Sequence, residues 1–409
     1  MVVDILNAIE YVVYHHIRSG NWGPNMKLLH LGDLHLGRTL LEYDLINDQE
    51  YILGQILDIA KENSVDAVLI AGDVYDKRIP TEAAVNLLDS FICSLAKEKI
   101  KTFIISGNHD SDDRLNFGSA LFENSGIYIS SKFNGKMDEF TFEDGDGEVD
   151  IYLLPFVKAS LVRHFLPDAD IESYDDAVRA VIEASNIDTA KRNVLVAHQF
   201  VAGDSDPQIA GSENASTVSV GLVEKIGYSA FEDFDYVALG HIHSPQRVGK
   251  DTVRYSGSPL KYSLSEVNND KSVPIITLGK KGETTVELIP LKPKRDLRHI
   301  KGKMKDLLDA GNVCDTEDFI YVTLTDEDRV NDVMNIFQQY YPNTVKIDYD
   351  NSHTRELEKV DVATIAENKT FAELISDFYK EIYGCEMDED EIKIMESVAR
   401  KAGVIDEAD

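Results

Sequence analysis

No stretch of this chain stays apolar for the roughly 18–20 residues that a membrane-crossing helix needs, so a membrane protein is excluded. Cysteine is scarce. Cys93, Cys314 and Cys385 are an odd number of thiols without any C-x-x-C spacing, which provides neither a disulfide framework nor a thiolate metal site and makes a reducing cytoplasm the expected location. The first 25 residues lack the basic start and small-residue cleavage site of a signal peptide. "VVDILNAIEYVVYHHI" could form one amphipathic helix, but the first clear strand follows Met26. We therefore expect residues 1–25 to be an N-terminal appendage or an upstream start rather than part of the fold, with His15 and His16 solvated. Positive charge is the other shortage: 41 Lys and Arg stand against 73 Asp and Glu, for a net −32. That balance argues against a nucleic-acid partner gripped by a broad basic surface. Internal repeats and low-complexity tracts are also missing.

What is present is a chain of 409 residues, 43% hydrophobic and 28% charged, the profile of a soluble globular protein with one large domain and one or two smaller ones. From "KLLHL" (27–31) the text alternates apolar strands with helical patterns: Asp44 to Asn63, "DAVLIAG" (66–72), Thr81 to Glu98 and "KTFIIS" (101–106). That alternation predicts parallel crossovers covered on both faces. Further strands are expected at "GIYIS", "EFTF", "DIYLLPF", "NVLVA", "DYVALG", "VRYSGSP", "VPIITL" and "TTVELIPL", with a helix from Tyr174 to Ser185. A polar loop over 203–217 has the length and composition of a mobile segment. The predicted fold class is α/β, a two-sheet β-sandwich flanked by helices. Composition shifts near Pro290, so we divide the chain into the extension (1–25), a main domain (26–290), a small α/β domain reading strand, helix, strand (291–352) and an acidic helical tail (353–409).

Polar residues cluster where the apolar strands stop. "HLGDLH" places Asp33 and His35 past the first strand, "IAGDVYD" places Asp73 past the second, and "ISGNHD" places Asn108 and His109 past the third. "LVAHQ" adds His198, and "ALGHIH" adds His241 and His243. In open α/β sheets the crevice beyond the carboxyl ends of the strands is where ligands bind. Oxygen and imidazole donors without sulfur suit manganese, iron, zinc or magnesium. An aspartate can bridge two such ions about 3.5–4 Å apart, the spacing used in phosphoester hydrolysis, and a cation can acidify water to a pKa of about 7. One D-x-H alone would be a turn or a cap; the ordered series of motifs is what points to chemistry.

The set D-x-H, G-D-x-x-D, G-N-H-D, a lone His and G-H-x-H resembles the calcineurin-like metallophosphoesterase superfamily. "MKLLHLGDLHLG", "DAVLIAGDVYD", "IISGNHD", "ALGHIH" and "YSGSPLKYSLSE" are similar to its bacterial SbcD branch, from Met26 onward. The resemblance implies that Asp33, His35 and His243 hold one metal, that Asn108, His198 and His241 hold the other, and that Asp73 bridges them. It implies manganese as the metal, and His109 as a non-ligand that stabilises charge on the scissile phosphate or protonates the leaving oxygen. Asp110 would orient His109 or cap the following helix, the alternative being a direct chemical role. Archaeal and eukaryotic relatives carry histidine where this chain has Asp76, so that position's role is not transferred.

The same resemblance implies a DNA nuclease: a 3′ to 5′ exonuclease on duplex ends and an endonuclease on single strands and hairpins, serving repair, recombination and replication. The small domain would be a DNA-guiding cap. Its basic run offers Lys292, Lys294, Arg295, Arg298, Lys301, Lys303 and Lys305 as phosphate contacts, the alternative being a solvated domain boundary. An SbcC-like ATPase would be the partner, docked on a tail stripe of Phe371, Leu374, Ile375, Phe378 and Tyr379, unless that stripe packs on the chain's own core. A homodimer within a heterotetramer is also implied. The rival readings are a phosphoesterase acting on small molecules or phosphoproteins, and a DNA-end scaffold that hardly cuts.

Overall fold

The computed structural model describes residues 18–19, 25–203, 205–209 and 225–352, and in the tail 375, 376, 379, 391, 392, 394 and 395. Of the polar loop expected over 203–217, residues 204 and 210–217 fall outside it. Contacts divide the chain into two compact units: Met1–His299 with Asp315–Tyr321 and Tyr341–Val345, and Ile300–Cys314 with Val322–Tyr340 and Lys346–Asp409.

In the first unit, four strands run parallel: β1 (Met26–Leu31), β2 (Ala67–Ala71), β3 (Lys101–Ile105) and β4 (Ile127–Ser130). Beyond β1 the sheet is completed by two antiparallel strands, Ser272–Leu278 and Thr284–Pro290. A second sheet holds β5 (Asp138–Asp144), β6 (Gly147–Leu154), β7 (Arg192–His198) and β8 (Tyr236–Gly240), then Lys250–Tyr255 and Gln246–Val248. Its far edge brings a difference from expectation. Arg18–Ser19, within the presumed appendage, pairs in parallel with Phe142 and Glu143 of β5, because an edge strand leaves backbone donors and acceptors open to any extended segment nearby.

Alternation along each strand explains why the runs are apolar throughout. Leu28, Leu69, Phe103 and Ile105 face inward and meet Val149, Ile151, Val194, Val196 and Ala238 of the second sheet. Leu29, Leu31, Val68 and Ile70 face outward and are covered by helices α1 (Ile46–Glu62) and α2 (Glu82–Lys97). On the other side Leu195, Ala197, Val237 and Leu239 are covered by α3 (Tyr174–Ala184). Strands buried on both faces carry no polar alternation. Thr81 caps α2 through Ala84 N at 3.2 Å, and Ser173 with Asp176 forms a capping box on α3. No helix among the described residues is long and apolar enough to cross a membrane.

The two sheets nearly touch at one end. A Cβ on Gly240, the last residue of β8, would fall on the carbonyl oxygen of Ala71, the last residue of β2. Gly240→Ala should therefore cost about 4–5 kcal/mol, at the upper end of single substitutions, read as a fall in the urea midpoint at unchanged slope.

A three-stranded sheet is made by Leu297–Gly302, Phe319–Leu324 and Thr344–Tyr349, in that order. Two short helices belong to the second unit, Met304–Leu307 and Val333–Gln338. There Val322, Leu324 and Phe337 are buried.

Candidate metal centre

Five strand ends from the two sheets meet where Gly240 approaches Ala71. The first three loops are laced by their own backbone: Asp33 N donates to Gly72 O at 3.2 Å and His35 N to Asp73 O at 2.9 Å, while His109 N donates to Asp73 Oδ1 at 2.9 Å. The second sheet joins through His241 N, which donates to Asp33 Oδ1 and Oδ2 at 2.9 and 3.1 Å. Asp33, His35, Asp73 and His241 all have positive φ, between 42° and 98°. Asp and His enter this region at a cost, and non-glycine residues held there concentrate at functional sites.

All seven candidate ligands come together. Asp33, His35 and His243 present donor atoms within 4.8 Å of one another, as do Asp33, Asp73 and His198. The Nε2 atoms of His35 and His243 lie 3.1 Å apart. Asp73 Oδ2 sits 3.6 Å from His35 Nε2 and 3.4 Å from His198 Nε2, a junction between two halves. Asn108 Oδ1 lies 3.0 Å from His198 Nε2 and 3.1 Å from His241 Nδ1.

The donor set fits cations. His198 Nδ1 is 2.8 Å from the carbonyl of Ala71, which only accepts, so Nδ1 carries the hydrogen. In the neutral ring Nε2 then turns a lone pair toward the oxygens of Asn108 and Asp73. Acceptors converging on one point in a buried place need a positive charge between them, either a proton or a metal. Without metal the proton serves. Burial alone would lower the His198 imidazole, but the Asp73 carboxylate outweighs it and raises the pKa to about 9. Burial takes His241 down to about 3 and His35 well below its ordinary value, so these rings are neutral. Asp73 resists its own burial because His198 and His35 hold it well below the usual carboxylate range.

A linked effect is expected. In the metal-free protein the His198 proton stabilises the fold fully below about pH 6.5, and this contribution is lost as pH rises through about 9. Metal uptake at pH 7 should accordingly displace about one proton per chain. Calorimetric titrations in buffers of different ionisation enthalpy read that number directly, and zero release would contradict the arrangement.

His109 is half-buried, its ring centroid 4.9 Å from that of His35, and it too presents a donor atom within 4.8 Å of donors on His35 and Asp73. Its Nδ1 donates to the Asp76 carbonyl at 3.1 Å. Asp110 neither touches the His109 ring nor caps the helix after it. Its carboxylate accepts from Gly107 N, Val74 N and Tyr75 N at 2.9, 3.1 and 2.9 Å, tying the second loop to the third. Burial, with Asp73 nearby, raises Asp110 to about 6 against those three bonds.

The basic run divides by partner. Arg295 pairs with Asp48 and covers the Phe319 ring; Arg298 pairs with Asp318 at 2.6 Å and Lys301 with Asp350 at 2.5 Å. Lys292, Lys294, Lys303 and Lys305 are exposed. Phe371, Leu374 and Phe378 lie outside the described residues; Ile375 and Tyr379 are helical and half-buried, and the Tyr379 hydroxyl donates to Glu391 at 2.7 Å. Several supports were not singled out from the sequence. Gln49 Nε2 donates to the carbonyls of His35 and Leu34 at 2.8 and 3.3 Å, and Tyr262 OH donates to that of Leu34 at 2.6 Å. Glu266 and Lys271 lie behind His243. Only "YSGSPLKYSLSE" signalled any of them, as an unassigned likeness.

This fold and this donor set define a metal-dependent phosphoesterase, and the family model described as calcineurin-like phosphoesterase matches residues 26–245. A second model, described as the type 5 capsule protein repressor C-terminal domain, matches residues 293–383. A relative from Staphylococcus epidermidis, the D subunit of the nuclease SbcCD, is 34% identical over 353 residues, 84% of this chain and 92% of its own. The same subunit from Staphylococcus saprophyticus is 34% identical over 385 residues, 91% and 97% respectively. Among solved structures, a dimetal phosphatase from Danio rerio aligns with 66% of this chain and 100% of its own at 12% identity and a TM-score of 0.34, too distant to add to the assignment. The chain belongs to the SbcD family of calcineurin-like phosphoesterases.

Proposed function

We propose that this chain is the nuclease component of an SbcCD-type complex, a manganese-dependent enzyme that degrades duplex DNA 3′ to 5′ from its ends and cuts single strands and hairpins. It works in the cytoplasm with an SbcC-like ATPase in DNA end processing, repair and recombination. The observation that carries this reading is the convergence of seven oxygen and nitrogen donors from five strand ends on one buried cluster. Asp33, His35 and His243 would hold one cation; Asn108, His198 and His241 the other; and Asp73, at the junction, both. When bound, the pair would supply acidified water and neutralise charge on the phosphate.

The chain's own residues do the rest. Asp110 fixes the loops that carry Asp73 and His109. His109, with Nδ1–H held by the Asp76 carbonyl, keeps Nε2 for exchanging a proton with the leaving oxygen. The partition into core (26–290), guiding cap (291–352) and docking tail (353–409) belongs to the same proposal. Lys292, Lys294, Lys303 and Lys305 are its phosphate contacts; Arg295, Arg298 and Lys301 have acidic partners that DNA must displace. With a net charge of −32, DNA binding by the chain alone is expected to be weak and salt-sensitive, the partner supplying much of the affinity. Exposed Phe117 and Leu121, 84% and 75% accessible after the third loop, and Ile79, 72% accessible after the second, suit a homodimer within the heterotetramer.

A time course on end-labelled linear and hairpin DNA with manganese, magnesium or EDTA, with and without the ATPase, tests this. Shortening from 3′ ends and hairpin opening with manganese are expected. Hydrolysis of bis-p-nitrophenyl phosphate with no cleavage of DNA under any condition would overturn it.

A further inference from the structure

Glu266 is a fully buried carboxylate outside the ligand set, at the end of a short turn, Leu264–Glu266. Its Oε2 accepts from Lys271 Nζ at 2.6 Å and from Ser258 Oγ at 3.3 Å. Its Oε1 accepts from Tyr262 N at 3.3 Å and faces His243 Nδ1 at 3.5 Å. Lys271, also buried, donates in addition to the His243 carbonyl at 2.9 Å, so one ion pair grips His243 at both ring and main chain. The other ring nitrogen, Nε2, is the one that enters the cluster beside His35.

A buried ion pair is a costly way to fill space, because apolar residues of similar volume often stabilise a fold as well or better. Its placement supplies a second reason for it. A carboxylate on the far nitrogen of a ligating imidazole fixes the tautomer, aims the ring and strengthens the donor.

We infer that Glu266, locked by Lys271, is a positioning residue that keeps the hydrogen of His243 on Nδ1 and the lone pair of Nε2 turned to the cation shared with Asp33 and His35. This rests on the reading of His243 as a ligand. The partner ring differs: His35 Nδ1 has no hydrogen-bond partner among the described residues, and its nearest carboxylate is Asp76 Oδ1 at 3.8 Å, which Arg38 Nη1 engages at 3.1 Å. The effect of Glu266 should therefore be confined to one of two metal positions.

Manganese titrations by calorimetry on the full chain decide this. Wild type should bind two ions and His243→Ala one. Glu266→Gln should weaken one position about ten-fold or more and leave the other unchanged. The double variant Glu266→Met with Lys271→Met leaves no unpaired lysine and should show the same one-sided loss, with metal-free thermal unfolding reporting the fold. Unchanged affinities in both variants, or equal weakening at both positions together with a lower unfolding temperature, would reduce Glu266 to a packing role. If wild type binds fewer than two ions, or His243→Ala keeps both, the ligand assignment itself fails.

Discussion

His109→Leu is expected to lower DNA cutting about 10²–10⁴-fold, the usual contribution of a positioned proton donor, while both cations stay bound. Leucine fills much of the imidazole's volume at a half-buried site. The backbone N–H of residue 109 still donates to Asp73 Oδ1, a bond the main chain makes whatever the side chain. The lost side-chain bond runs to the Asp76 carbonyl at the rim, so the ligand cluster has no cause to rearrange. Manganese stoichiometry and the rate on labelled DNA are to be measured on the same preparation. Wild-type cutting would remove His109 from the chemistry, and loss of a metal would move it into the ligand set.

The largest effect on metal binding should come from Asp73→Asn. Asparagine keeps the size of aspartate and tolerates the left-handed backbone at φ 46°, so a folding defect is not the expected outcome. What changes is the junction. One carboxylate oxygen lies within 3.6 Å of ring nitrogens from both halves of the cluster; an amide there removes a negative charge and sets N–H groups against one of them. His198 also loses the carboxylate that most opposes its burial. Neither cation should bind tightly, and cutting should match that of wild type in EDTA. Electron paramagnetic resonance of added manganese reads the free ion directly. Retention of two tight ions by Asp73→Asn would dissolve the junction.

Local chemistry made much of this molecule legible. The helices fall within two residues of their periodic patterns, because capping residues such as Thr81 and Ser173 mark their starts. The strand ends were visible because a run that stops at Gly-Asp, Gly-Asn or Gly-His has ceased to bury apolar side chains and turns to polar ones. Roles of the second rank were less visible. Asp110 read as a cap or an orienting group beside His109, but its bonds run to the second loop, 36 residues earlier. Arg295 and Arg298 read as phosphate contacts, but Asp48, 247 residues away, and Asp318 occupy them. A side chain's partner is a matter of distance in space, which sequence spacing does not encode.

By itself the sequence determined that these strands are buried on both faces, that their ends carry oxygen and imidazole donors without sulfur, and that the chemistry is metallic rather than thiol-based. Each of those follows from residue type and local period. The tertiary structure alone decided that β2 and β8 abut, with no room for a side chain at Gly240, and that Glu266 stands behind His243. These depend on the packing of two sheets with separate hydrogen-bond ladders, and such packing is set by interdigitating side chains hundreds of residues apart.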